Sequence, residues 1–133
     1  MANLTITSND LSNVILKDAE FRDELLTFGG AGTVVEGTIL ARDSVSLKLV
    51  PFVKGGSTNE NGIPKAIVTY DVTATGAGDV AIRAGVAGSF RAEELVIDAD
   101  GDASNVDNAV LDQLRAYGFT PIDVQELNIA DNA

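Results

Sequence analysis

The stretch AIVTYDVTA (residues 66–74), followed by TGAG (75–78) and DVAIRAGVA (79–87), carries the clearest structural signal in the chain. β-Branched and aromatic residues dominate its first part, as a pleated, half-buried surface favours. In its last part Val80, Ile82, Ala84 and Val86 fall on one side, with Asp79, Ala81 and Arg83 on the other. That is the period of two that defines a strand. Residues 75–78 read as a turn, so segments 66–74 and 79–87 are expected to pair as a hairpin.

Upstream, the same signals recur. Ser46 to Phe52 alternates, with Leu47 and Leu49 on one side and Lys48 and Val50 on the other, and Pro51 ends the strand or marks a sheet edge. Thr33 to Arg42 holds Val34, Val35 and Ile39, and Gly37 inside it implies a bulge or bend. Asp18 to Phe28 reads two ways. Phe21, Leu25 and Phe28 share a helical face, while Glu24 to Phe28 also suits a strand. Gly29, Gly30 and Gly32 end either element. Residues 53–65 form a polar loop.

Downstream, Leu95 and Ile97 mark a short strand. One helix is expected over 106–117, with Val106, Val110, Leu111, Leu114 and Tyr117 on one face. Ser104 is placed to cap it, with Asp107 in the capping-box position. Gly118 ends it and Pro121 prevents its resumption. The fold class is therefore mainly β with one C-terminal amphipathic helix. Three regions are expected: an extended N-terminal arm (1–18), a β-rich domain (19–120) and an acidic tail (121–133).

The chain has 133 residues, 45% of them hydrophobic, enough for one core. Twenty acids oppose nine bases, a net charge of −11. Phosphate backbones and anionic lipid surfaces both require a basic face, so neither nucleic acid nor membrane is an expected partner. Residues 93–133 hold ten acids and the single base Arg115, and this acidic third is expected to face solvent. No basic, apolar leader is visible at the N-terminus, and no apolar run approaches the roughly 20 residues of a membrane helix.

Histidine and cysteine are both absent. That removes the commonest general base, the Ser-His-Asp arrangement and the usual zinc ligands. The carboxylates Asp98, Asp100 and Asp102 suggest calcium, but Ala103 and Ala109 stand where such a loop needs glycine and a bidentate glutamate. An acidic turn before a helix N-terminus accounts for them. Gly29-Gly30-Ala31-Gly32 lacks the Lys-Ser/Thr of a phosphate loop and opens a strand. Glu93 and Glu94, as strand neighbours, point to opposite faces. Arg83 and Arg91 are expected in water or against a carboxylate across a subunit contact. No metal, cofactor or catalytic set is expected, and the chain is not read as an enzyme.

Several pieces stand in a telling order. They are Val35-Glu36-Gly37-Thr38-Ile39-Leu40-Ala41, Leu47-Lys48-Leu49-Val50-Pro51-Phe52 and Gly62-Ile63-Pro64-Lys65-Ala66-Ile67-Val68. After these come Val80-Ala81-Ile82-Arg83-Ala84-Gly85-Val86 and Leu111-Asp112-Gln113-Leu114-Arg115-Ala116-Tyr117-Gly118-Phe119. This order, over about residues 24–120, resembles the head decoration family of tailed phages, related to phage lambda's capsid decoration protein. The resemblance implies a small β-clip or β-tulip domain and homotrimers at three-fold and quasi-three-fold positions of the expanded head. It also implies an N-terminal arm that engages the major capsid protein. The chain is then made in the host cytoplasm and carried on the outer surface of the virion, where it resists internal DNA pressure. Two apolar, β-prone patches are candidates for capsid binding by strand addition: Leu4-Thr5-Ile6 and Val14-Ile15-Leu16. Other classes compatible with the composition are a tail-tube or connector subunit and a surface adhesion module.

Overall fold

The computed structural model describes residues 14–122. The stretch that read two ways is a strand. β1 (Ile15–Phe28) runs antiparallel to β7 (Gly78–Arg91), from Ile15 opposite Phe90 to Phe28 opposite Gly78. A strand partner of equal length outweighs the helical spacing: Leu26 and Phe28 are buried while Leu25 stays outside.

The expected hairpin of 66–74 with 79–87 does not form as a tight unit. Its first segment breaks at Thr69. β5 (Pro64–Val68) stays in the main sheet, and β6 (Val72–Ala74) leaves it to pair with β2 (Gly32–Val34). The buried Thr69 hydroxyl donates to the Arg83 carbonyl at 2.8 Å, and Asp71 turns away to accept the Glu36 N–H at 2.8 Å. β5 still runs antiparallel to β7, through Ile67–Gly85 and Val68–Ala84.

Two further strands, β3 (Ile39–Arg42) and β4 (Leu49–Pro51), complete the ring. The sheet order is β1-β4-β3-β5-β7, and the β1–β7 pairing closes it into a small barrel. β4 is shorter than expected because Leu47 takes a left-handed φ of 65°. Leu47 therefore points to solvent instead of sharing the buried side of Leu49.

Residues paired across a ladder share a face. Leu26, Leu40, Leu49, Ala66, Val68, Ile82 and Ala84 supply one buried cluster from all five ring strands. The opposite faces of β3 and β5 present Ile39, Ala41 and Ile67 to a second cluster with Val14, Phe52, Phe90, Leu95, Ile97, Val110, Leu114 and Phe119. Burial on both faces explains why Ile39-Leu40-Ala41 and Ala66-Ile67-Val68 are continuous apolar runs rather than alternating ones. Phe90 and Phe119 meet edge to face at 5.6 Å. Burying each ring contributes roughly 1.5–3 kcal/mol. Gly85 makes room for them, since a Cβ there would sit 2.8 Å from the Phe90 ring.

Helix α1 (Asn108–Ala116) packs Val110 and Leu114 onto the second cluster. Its cap is Asp107, not Ser104: the Asp107 carboxylate accepts the Val110 N–H at 3.2 Å. The Ser104 N–H is instead tied to Asp102 at 2.9 Å. Past Gly118 the chain forms an unexpected strand, β8 (Phe119–Ile122), parallel to the end of β7. Pro121 stops the helix yet fits β8, because β8 is an edge strand. Leu95 and Ile97 are buried, but they flank single bridges, Val96 to Thr38 and Ile97 to Asp102, rather than a strand.

Candidate interaction surfaces

The two arm patches fall in different places. Leu4, Thr5 and Ile6 lie outside the described residues. Val14 is fully buried in the helix-side cluster, and Ile15 and Leu16 open β1. The Val14 N–H donates to the Glu36 carboxylate at 3.1 Å, and its carbonyl accepts the Arg91 N–H at 2.7 Å. Arg91 also stands opposite Ile122 in the β7–β8 ladder. Val14 and Ile122 thus flank one residue, so the first and last described residues lie side by side. Nothing in the apolar spacing of either end revealed this, because it depends on β8.

The described part of the acidic third includes the 98–102 loop. Asp98 lines a cleft with Phe28, Gly29 to Val34 and Pro51, at the other end of β1 from Val14. In that loop Asp102 accepts hydrogen bonds from Ser104, which hold its carboxyl below the usual range, and Asp100 accepts from Asn105 at 2.9 Å. These carboxylates spend their oxygens on their own loop. Among the described residues no group of three or more His, Cys, Asp or Glu is arranged to hold a metal ion. Gly29, Gly30 and Gly32 form the turn from β1 into β2. Glu93 and Glu94 lie in a 3₁₀ turn (Ala92–Glu94), both exposed, rather than in a strand.

Charge is more closely paired around the β3–β4 loop. Arg42 grips Glu24 in two parallel bonds of 2.8 and 3.1 Å. That contact holds Glu24 below the ordinary carboxyl value and raises Arg42, because each partner favours the other's charged form. Lys48 and Thr27 both reach Asp79, at 2.5 and 2.9 Å, and lower its carboxyl likewise. Arg83 stacks over the Phe21 ring, 5.3 Å from its centroid. Among these charges stand Leu25, Val45 and Leu47, which are 42%, 76% and 65% exposed.

The described residues thus form a closed small barrel with exposed apolar side chains and with its first and last residues side by side. The family model described as bacteriophage lambda head decoration protein D matches residues 21–119, and the chain belongs to that family. It is a phage structural protein of the capsid surface. No curated protein matches the chain.

Proposed function

We propose that the chain binds the outer surface of the expanded head as a homotrimer at three-fold and quasi-three-fold positions, where it holds major capsid protein subunits together against DNA pressure. The observation that carries this reading is the family match over residues 21–119, and the structure adds that Val14 and Ile122 both lie beside Arg91. The barrel is already closed on itself, so we assign the shell contact to the segment that precedes Val14. Leu4-Thr5-Ile6 then supplies the capsid contact, adding as a strand to a free sheet edge of the shell. Three such segments on one trimer raise the effective affinity by orders of magnitude over a single one. The closed barrel and its single helix are compatible with the β-tulip architecture that the family implies.

The Asp98–Asp102 loop, at the other end of β1 from Val14, is a candidate for the outward side. The test is co-sedimentation of the protein with expanded shells that lack it. Full-length protein is expected to pellet with the shells and raise their melting temperature. Protein lacking residues 2–13 is expected to stay in the supernatant while keeping its fold. Full-strength binding by the truncated protein would overturn the arm's role.

A further inference from the structure

We infer that the face formed by Leu25, Val45, Leu47 and Ala81 is where neighbouring copies of this chain touch on the shell. The inference rests on the decoration reading above. Leu25 and Ala81 are direct partners across the β1–β7 ladder, on its outer side. Leu47 stands beside them in a shallow cleft that Asp23 and Lys48 also line.

The loop holds Leu47 in place. The Asp43 carboxylate accepts the N–H groups of Val45 and Ser46 at 2.8 and 3.0 Å. The Leu47 N–H donates to the Asp43 carbonyl at 2.8 Å, and Arg42 donates to the Leu47 carbonyl at 2.9 Å. A leucine is poorly suited to a φ of 65°, a position that favours glycine. Here an apolar side chain is held in that conformation and turned to water, and Val45, two residues earlier in the same loop, is exposed as well. Apolar groups gathered on a surface in this way mark a contact site.

Two observations select a second copy as the occupant. The first is charge. The chain carries −11 overall, and residues 93–133, with ten acids and one base, hold most of it, so like copies repel there. Around this face acids and bases balance: Glu24 lies with Arg22 and Arg42, Asp79 with Lys48, and Asp23 opposite Arg83, with Asp43 inside the loop. Copies can meet here without the like-charge repulsion of the acidic third. The second is position. Leu25 is ten ladder residues along β1 from Ile15, roughly 30 Å, so this face stands apart from the end where the shell-directed segment leaves. A closed ring of three makes each contact heterologous, so the face meets a different surface of the next copy.

The test compares binding isotherms on decoration-free shells for the full chain, Leu47→Asp and Leu47→Gly, with thermal unfolding of each as the fold control. Glycine tolerates the left-handed φ, so Leu47→Gly keeps the loop while removing the side chain. The wild type is expected to bind with a Hill slope above 1. Both variants are expected to bind with a slope near 1 and a midpoint on the order of tenfold higher. Cross-linking on the shell should yield dimers and trimers for the wild type and monomers for the variants. Variants with the wild-type slope and cross-links overturn the inference. A raised midpoint with an unchanged slope also overturns it, because that outcome assigns the face to the capsid. If the wild type binds no shells, the decoration reading fails by itself, and cross-linking of free protein at high concentration decides the self-contact. Oligomers abolished by Leu47→Asp support it, and monomers throughout overturn it.

Discussion

Replacing Gly37 with alanine tests whether the turn between β2 and β3 locks the two clusters together. Gly37 has a φ of 90°, and a Cβ there would lie 1.9 Å from the Glu94 carbonyl oxygen. That oxygen is backbone and has no rotamer to change. The Gly37 N–H also donates to Val68 at 2.8 Å, and its carbonyl accepts from Val96 at 2.9 Å. A left-handed alanine costs about 1–2 kcal/mol. Forcing backbone apart in a packed region adds about 1–3 kcal/mol. The sum, about 2–5 kcal/mol, is a large share of the 5–15 kcal/mol that typically holds a domain folded. Urea denaturation followed by far-ultraviolet circular dichroism measures it. Gly76→Ala is the control, because nothing lies within 4 Å of its Cβ position. Its stability should stay within about 1 kcal/mol of the wild type, on either side. A loss below about 1 kcal/mol for Gly37→Ala would refute the reasoning, since it would mean that the 92–97 segment shifts freely away from β3.

Removing residues 2–13 should leave the melting temperature almost unchanged, whereas removing 2–17 also takes Val14 out of its cluster and should lower it clearly; equal melting temperatures would show that Val14 is not part of the body. Glu24→Gln should destabilise by about 1–2 kcal/mol in chemical denaturation, less than for a fully buried pair because Arg42 keeps 31% of its side chain exposed. Glu24 has a folded-state pKa below its ordinary 4.5, so its contribution is present above that value and is lost as pH falls through the lower folded value. The wild type should accordingly lose stability on acidification by more than Glu24→Gln does, and parallel acid titrations would contradict this. Reversing Asp100 and Asp102 to Lys should hardly alter shell affinity in a pelleting assay, and a large change would place that loop at the shell.

The strands were legible wherever burial was simple. Val80, Ile82 and Ala84 alternate because β7 has one wet face, and Ile39 to Ala41 run apolar because β3 has none. What stayed hidden depended on partners distant in sequence. Nothing in residues 66–74 distinguishes a single strand from β5 plus β6 until β2 is known to take the second half. Ser104 and Asp107 are both good caps, and the choice between them follows from the helix starting at Asn108, directly after Asp107. Leu47 matched the alternation of Leu49, but Asp43 and Arg42 rotate the loop around it. Pro121 read correctly as a helix stop, while β8 needed the free edge of β7. Of the arm candidates, Val14 belongs to the second cluster because β1 begins at Ile15, ahead of the arm boundary expected at residue 18.

The long antiparallel pairing of β1 with β7 decides how the molecule bears a mechanical load. A tether pulled at residue 14 draws β1 lengthwise, so the rungs joining it to β7 are sheared together rather than unzipped one by one. Slippage then requires many bonds to fail at once.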